Sequence, residues 1–203
     1  AVEAVKIAMG PPAQIATLIL PADVSWSEGA KALSFQPAAK PEAASNETIE
    51  QIATVLKSNK KIAFLLGGRV LREEGLMLAS RIAEKTGAKL FCEVFPTRLE
   101  RGAGLPHVER IAYLAEMAGV QLAGYDHLIL VDAKEPVSFF AYPGKKSYLI
   151  PEGCTPHHLV KPDEDAIESL RKLVDAAGAA AIAPKLQTAE RPKLPSGALS
   201  AAK

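Results

Sequence analysis

The hydrophobic pattern divides the chain into short apolar runs and longer segments with helical spacing. Continuous apolar runs, which predict strands buried on both faces, cover residues 14–20, 61–66, 88–92, 127–131 and 147–150. Apolar residues at helical spacing predict helices over residues 1–9, 46–56, 71–86, 108–122 and 163–176. From residue 46 onward the predicted strands and helices alternate, which is typical of a parallel sheet covered by helices.

Local signals mark the ends of several helices. Ser45 or Asn46 is a suitable N-cap for the helix that follows, and Gly87 is expected to end the next one. Acidic residues open the last helix, where they suit the positive end of its dipole, and Gly178 closes it. The sequence therefore predicts an α/β fold with three layers and a doubly wound, mostly parallel, Rossmann-like sheet.

Composition divides the chain into four parts. Residues 25–45 are rich in proline and small residues, and we interpret them as a linker. Residues 1–24 begin without a methionine and offer no partner strand nearby, so we expect them to be the end of another domain. Residues 46–178 are the predicted α/β domain, and residues 179–203, rich in Ala, Pro and Lys, are expected to be a flexible linker.

The composition excludes several classes of function. Hydrophobic residues make up 48% of the chain and charged residues 23%, which is typical of a globular protein. The 24 basic and 23 acidic residues are spread along the chain, so no basic stripe is available for nucleic acid. No apolar run approaches the roughly 20 residues needed to cross a bilayer. We therefore expect neither nucleic acid nor a membrane as a partner.

The cysteines and histidines form no recognisable metal site or disulfide framework. Cys92 and Cys154 are far apart in sequence, which favours a reducing, cytoplasmic location. His157 and His158 are adjacent, so on an extended segment their side chains point to opposite sides and cannot share one metal. We expect Cys154 to be a packed residue rather than a nucleophile.

Candidate binding residues follow the predicted strands at their carboxyl ends, where open parallel sheets bind ligands. Gly67, Gly68 and Arg69 follow the first strand of the domain, the loop over residues 93–109 follows the second, and residues 134–144, which begin with Lys134, follow a later one. The glycines could let the backbone approach a phosphate, with the next helix contributing its dipole. They equally suit a tight turn from strand to helix, and their spacing is not G-x-G-x-x-G. Both interpretations stay open at this point.

A second candidate is the loop over residues 98–104, which is long for an α/β connection. Arg98 and Arg101 could clamp a diphosphate or a carboxylate in bidentate fashion. Alternatively, the arginines pair with the neighbouring Glu100 on a solvated loop or across a domain interface. For any single arginine we favour the pairing with glutamate.

Four strings occur together along the chain: LPADV at residues 20–24, AFLLGGR at 63–69, LERGAG at 99–104 and DHLILV at 126–131. In this combination the chain resembles the acetolactate synthase and benzoylformate decarboxylase group of thiamine-diphosphate enzymes. The first string is similar to the last strand of their pyrimidine-binding domain. The second and the fourth are similar to strands of their central domain, and the third fits acetolactate-synthase-like members.

The resemblance implies the central domain of a transferase or lyase that acts on 2-oxo acids with thiamine diphosphate and Mg²⁺. In that family a glutamate of the pyrimidine-binding domain activates the cofactor, and a Gly-Asp-Gly segment of a further domain holds Mg²⁺ and the diphosphate. The resemblance places both parts outside this sequence, so it implies no catalytic residue here and no turnover by the chain alone. The implied partners are the missing pyrimidine-binding and diphosphate-binding domains, in an enzyme that is a homo-oligomer.

FAD is a further cofactor that the resemblance allows. Members that hold FAD carry an Arg-Phe-Asp-Asp-Arg type string after the strand matched by residues 127–131. Residues 133–140 read AKEPVSFF instead, and this departure argues against FAD.

Three hypotheses follow. The leading one is a structural central domain of an acetolactate synthase-like enzyme, incomplete as an isolated chain. The alternative is a domain that binds a nucleotide, of the FAD or ADP type, through Gly67, Gly68, Arg69 and Lys134. The third is a self-sufficient α/β enzyme, which would need titratable groups converging at the strand ends.

Overall fold

The computed structural model describes residues 1–34, 39–194 and 196–198. In this part of the chain five strands form one sheet in the order β3-β2-β1-β4-β5, and every neighbouring pair is parallel. The strands are β1 (Ile62–Leu66), β2 (Lys89–Cys92), β3 (Glu109–Arg110), β4 (His127–Val131) and β5 (Thr155–His158). Because the chain adds strands on both sides of β1, the sheet is doubly wound. The predicted fold class is confirmed.

Helices cover both faces of the sheet in the described ranges. The α-helices are α1 (Val2–Met9), α2 (Ala22–Trp26), α3 (Asn46–Leu56), α4 (Glu73–Thr86), α5 (Ala115–Leu122) and α6 (Ala166–Ala176). A 3₁₀ helix, Gly68–Leu71, links β1 to α4. Helices α3, α4 and α6 pack on one face and α5 packs on the other. None of the helices described combines the length and the apolar character that crossing a bilayer requires.

Strand β1 is buried on both faces. Phe64 and Leu66 contribute to the core layer formed with α3, α4 and α6, whereas Ala63 and Leu65 contribute to the layer formed with α5. The alternation follows from the two-residue period of a strand. Burial of each large apolar side chain contributes about 1.5–3 kcal/mol, so the apolar run that predicts this strand also favours its central position.

Polar side chains and a glycine fix the helix ends. Ser45 Oγ accepts a hydrogen bond from the backbone N–H of Thr48 at 3.2 Å, which confirms the predicted N-cap of α3. Asp165 caps α6 and accepts from two backbone N–H groups of the first turn, at 3.0 and 3.1 Å. Gly87 ends α4 with a φ of 75°, a left-handed conformation that glycine adopts without strain.

Residues 14–20 form no strand, so the prediction of a buried strand there is wrong. Ile15 is 97% exposed and Ile19 is 83% exposed. The backbone of this run makes no hydrogen bond to the rest of the described chain. A strand needs a neighbouring strand to satisfy its backbone groups, and the described residues place none beside this run. Its apolar pattern therefore has no surface here against which to pack.

Two predictions in the second half of the domain are also wrong. The helix expected over residues 108–122 begins only at Ala115, because β3 occupies the start of that range and pairs with β2. The strand expected over residues 147–150 does not form; Tyr148 makes one isolated bridge, and β5 takes the edge position beside β4. Edge strands have one unpaired side and can carry polar residues, so β3 and β5 escape a search for apolar runs.

The first part of the C-terminal segment is held against the domain. Ala179 is fully buried. The backbone N–H of Gln187 donates to the carbonyl of Leu105 at 3.0 Å, and its carbonyl accepts from the N–H of Gly104 at 2.9 Å. These contacts correct the expectation that the chain is flexible from residue 179 onward. Parts of the two predicted linkers lie outside the described residues, namely 35–38, 195 and 199–203.

Candidate functional site

The carboxyl ends of β1 and β4 lie side by side. The strand that follows β1 in the chain, β2, lies on one side of this pair, and the strand that follows β4, β5, lies on the other. This is the switch point at which doubly wound sheets bind ligands. Gly67, Gly68 and Arg69 follow β1, and Lys134 follows β4. The backbone N–H of Gly67 donates to the carbonyl of Val131 at 3.0 Å. The structure therefore brings the four predicted site residues to one edge, with the side chains of Arg69 and Lys134 exposed.

Asp132, the first residue after β4, fills the space beside the glycine turn. Its Oδ2 atom accepts a hydrogen bond from the backbone N–H of Arg69 at 2.8 Å. A Cβ atom on Gly68 would overlap the same Oδ2 atom, and one on Gly67 would overlap the carbonyl oxygen of Asp132. Gly68 and Asp132 both adopt left-handed conformations, with φ of 47° and 51°. The glycines are thus required by the close approach of Asp132, which supports the tight-turn interpretation.

Glu93, the first residue after β2, is the second carboxyl group at this edge. Burial raises the pKa of the Glu93 carboxyl, and a hydrogen bond from the backbone of Gly68 opposes the rise. The charge of Asp132 raises this pKa further, whereas Lys134 lowers it. The carboxyl group of Glu93 therefore interacts with the glycine turn and with the charge of Lys134.

Glu100 organises the loop after β2. Its Oε2 atom accepts a hydrogen bond from the backbone N–H of Glu73, the first residue of α4, at 2.7 Å. Its Oε1 atom lies 3.0 Å from Nη2 of Arg98 and 3.9 Å from Nη1 of Arg72. Arg98 therefore pairs with a neighbouring glutamate, as we favour from the sequence, rather than facing an open anion site.

An open cleft of about 570 Å³ lies over the switch point. Arg69, Arg72 and Lys40 line it together with Asp132 and Asp165, so it holds charges of both signs. The chain that follows α1, residues 10–13, forms another part of the lining. The cleft is therefore bounded by the domain on one side and by the N-terminal segment on the other.

A cluster of five exposed aromatic rings lies on the loops that follow β2, β3 and β4. This aromatic cluster consists of Phe95, Tyr113, Phe139, Phe140 and Tyr142. Ring centroids of Phe95 and Phe139 are 5.0 Å apart, and those of Tyr113 and Phe140 are 5.4 Å apart. Each of the five side chains is between 41% and 61% exposed. Such a contiguous apolar surface is a mark of an interaction site.

The adjacent histidines of β5 point to opposite sides, as predicted. Nε2 of His157 lies 3.0 Å from Nδ1 of His127, whereas Nε2 of His158 lies 3.4 Å from a carboxylate oxygen of Glu135. Among the described residues no three His, Cys, Asp or Glu side chains are grouped as a metal ion would require.

The two cysteines carry free thiols. Burial raises the pKa of the Cys92 thiol and that of the Cys154 thiol, and the charge of Asp126 adds to the rise at Cys154. Cys154 packs against the core layer that contains α5. A raised pKa disfavours the thiolate that a nucleophile needs, which supports the interpretation of Cys154 as a packed residue.

Sequence reasoning missed Asp132. It placed Glu93 and most of the aromatic cluster within the candidate segments 93–109 and 134–144 but gave these side chains no role. A positional signal exists for Asp132 and Glu93, because each is the first residue after a strand whose carboxyl end meets the switch point. The aromatic residues lie on three separate loops. Their contact depends on how those loops fold, so spacing along the chain gives no signal for them.

The chain is 50% identical over 187 residues to a Mycobacterium tuberculosis protein named "Putative acetolactate synthase large subunit IlvX". The aligned part covers 92% of this chain and 36% of that protein. The chain therefore spans about a third of the length of this curated relative. No family model matches the chain.

Solved structures of thiamine-diphosphate-dependent enzymes share the fold. A Mycobacterium smegmatis protein, described as a "putative thiamin diphosphate-dependent enzyme", matches 94% of this chain and 39% of its own, at 21% identity and a TM-score of 0.67. The 4-hydroxybenzoylformate decarboxylase of Rhodococcus jostii RHA1 matches 87% and 34%, at 18% identity and a TM-score of 0.54. Benzoylformate decarboxylase of Polynucleobacter necessarius matches 89% and 34%, at 16% identity and a TM-score of 0.54.

In sequence the chain is similar to a protein named as a putative acetolactate synthase large subunit. In fold it is similar to part of several thiamine-diphosphate-dependent enzymes. The resemblance noted from the sequence is confirmed.

Proposed function

We propose that the chain is the structural central domain of an acetolactate synthase-like enzyme that uses thiamine diphosphate and Mg²⁺ and acts on 2-oxo acids. The chain is 50% identical to a putative acetolactate synthase large subunit and aligns with only 36% of the length of that protein, which supports this assignment. The sequence contains no Gly-Asp-Gly string, so its residues do not fit the segment that holds Mg²⁺ and the diphosphate in this family. The isolated chain is therefore catalytically incomplete, and other domains supply the chemistry.

The aromatic cluster is the observation that carries the scaffold role. On an isolated domain its five side chains remain about half exposed, although aromatic residues are enriched at the buried centres of interfaces. The cluster lies on loops at the carboxyl edge of the sheet. A catalytic domain that packs there would bury the rings and would be positioned relative to the strand ends.

The N-terminal segment offers a second surface of the same kind. Ile15 and Ile19 are almost entirely exposed, and Trp26 is 85% exposed. The unpaired backbone of residues 14–20 has the pattern of a strand that is buried on both faces. In the whole enzyme the pyrimidine-binding domain supplies the neighbouring strands for this run.

An activity assay tests the central claim. The purified chain, incubated with thiamine diphosphate, Mg²⁺ and pyruvate, should release no CO₂ above a blank without protein. The same chain, extended to the full length of its curated relative, should release CO₂ only when thiamine diphosphate is present. Benzoylformate in place of pyruvate tests for an aryl substrate. Turnover by the chain alone would contradict the proposal.

Substitution of Phe139 and Phe140 by serine tests the role of the aromatic cluster. In the isolated chain the two rings are about half exposed and contact other rings of the cluster, so the free energy of unfolding should fall by only about 1 kcal/mol per site. In the extended protein the same change should lower thermal stability and activity, because a buried aromatic side chain is lost. Leu194→Ser is the matched control, since Leu194 is 94% exposed and lies outside the cluster. Equal effects in both proteins would remove the scaffold role.

We further propose that the whole enzyme is a cytoplasmic homo-oligomer. The free thiols of Cys92 and Cys154 fit a reducing compartment. Light scattering on the extended protein should give a mass at least twice that of one chain. A monomer at all concentrations tested would exclude this part of the proposal.

A further inference from the structure

The glycine turn after β1 is the position at which a doubly wound sheet usually receives a phosphate group. There, backbone N–H groups of the turn face the ligand, and the next helix adds its dipole. In this chain the N–H of Arg69 already donates to Oδ2 of Asp132 at 2.8 Å. Gly68 has no side chain, and the same carboxylate fills the space where its Cβ atom would be. An anion therefore occupies the turn, and it is part of the protein.

The start of α4 is occupied in the same way. The N–H of Glu73 donates to Oε2 of Glu100 at 2.7 Å, and Arg98 and Arg72 flank the other oxygen of that carboxylate. The first turn of α4 also carries two acidic side chains of its own, those of Glu73 and Glu74. The helix dipole thus stabilises carboxylates of this chain rather than an open site.

We propose that Asp132 and Glu100 are built-in anions that take the places of phosphate groups and exclude FAD, ADP and other phosphate-bearing ligands from this turn. The residues predicted as a nucleotide site, Gly67, Gly68, Arg69 and Lys134, then shape one edge of a scaffold and do not form a nucleotide site. This inference concerns the chain itself and goes beyond the role proposed for the whole enzyme.

Electrostatics gives the reason for exclusion. A phosphate at the turn must either displace Asp132 or lie beside it, and two negative charges about 4 Å apart repel each other at a protein surface, where the effective dielectric constant is well below that of water. Displacement would break a charge-assisted hydrogen bond, which is among the stronger polar contacts in proteins.

Titration of the chain with ADP, FAD and inorganic pyrophosphate, followed by amide NMR, tests the proposal. In the wild type the amide signals of Gly68, Arg69 and Glu73 should not move. In Asp132→Gly the turn is vacated, so pyrophosphate should move the signals of Gly68 and Arg69, with an affinity at least about tenfold above that of the wild type, or about 1.4 kcal/mol.

Two further variants complete the test. Asp132→Asn keeps the shape of the side chain and removes its charge, so it should show the same gain in weaker form and decides the test if Asp132→Gly does not fold. Asp175→Asn changes the net charge equally at an exposed site of α6 and should behave as the wild type.

Movement of the Gly68 and Arg69 signals by ADP or FAD in the wild type would overturn the proposal, and this arm needs no variant. Absence of any gain in both Asp132 variants would also overturn it. The readout is on amides of this chain, whereas the assay of the extended protein measures CO₂ release. Failure of this inference is therefore distinguishable from failure of the proposed function.

Discussion

The imidazole of His157 shares a hydrogen bond with that of His127 on the neighbouring strand, with 3.0 Å between Nε2 and Nδ1. One ring must donate and the other accept, so the pair is satisfied only while at least one ring is neutral. Burial lowers the pKa of His157, and the charges of His127 and His158 lower it further. Protonation of both rings at acidic pH would therefore break this contact between β4 and β5.

We predict that the chain loses stability as the pH falls below about 6.5, the ordinary pKa of histidine. In this range the unfolded chain binds a proton at residue 157 and the folded chain does not, so protonation favours unfolding. Urea unfolding of the wild type and His157→Gln at pH 7.5 and pH 5.5 measures the effect. The wild type should lose more free energy of unfolding than the variant.

His107→Gln is the control for this experiment, since His107 is exposed and lies away from the pair. Its pH dependence should match that of the wild type. An identical pH dependence for His157→Gln and the wild type would show that the pair does not couple folding to protons.

Gly68→Ala should destabilise the chain by about 2–4 kcal/mol. The left-handed backbone costs an alanine about 1–2 kcal/mol, and overlap of its Cβ atom with the carboxylate of Asp132 adds a further steric cost. Thermal or urea unfolding measures the loss. Because the overlap is with Asp132, the double variant Gly68→Ala, Asp132→Gly should regain part of it.

Gly119→Ala is the matched control for that substitution. Gly119 lies inside α5, and a Cβ atom added there would meet nothing within 4 Å. Alanine is the better helix former, so this variant should gain up to about 1 kcal/mol. Equal losses at both glycines would mean that the approach of Asp132 is not what requires Gly68.

The strands of the sheet show how far an apolar pattern specifies structure. Residues 127–131 were predicted with correct bounds because a run buried on both faces has few alternatives once other such strands are present. Residues 14–20 have the same pattern and form no strand. The pattern indicates that a run is suited to burial inside a sheet, but it does not supply the sheet. The described residues place no strand beside residues 14–20.

The carboxyl edge shows a different limit. Gly67 and Gly68 were recognised as a turn that could serve either a phosphate or the chain itself. Only the position of Asp132, at the end of the neighbouring strand β4 and 64 residues after Gly68, decides between these uses. Such a contact depends on which strands are neighbours. A sequence pattern predicts the fold class, but it does not predict the strand order or the distances between residues that follow from it.

Asp165→Ala should cost about 1–2 kcal/mol of stability, because two N–H groups at the start of α6 lose their acceptor. The effect reaches the whole domain, since Leu170 and Leu173 of this helix are fully buried. Asp165→Asn keeps an oxygen in the same place and should lose much less. Urea unfolding compares the two variants, and equal losses would exclude a capping role.

Amide exchange of residues 14–20 links the isolated chain to the proposed enzyme. These amides have no acceptor in the described part of the chain, so they should exchange at close to the rate of an unfolded peptide. Amides of β4 lie between two paired strands and should exchange by many orders of magnitude more slowly. In the extended protein, residues 14–20 should become protected, because the proposed neighbouring domain would supply their hydrogen-bond partners. Slow exchange in the isolated chain would mean that this run already has a partner, and unchanged fast exchange in the extended protein would mean that it needs none.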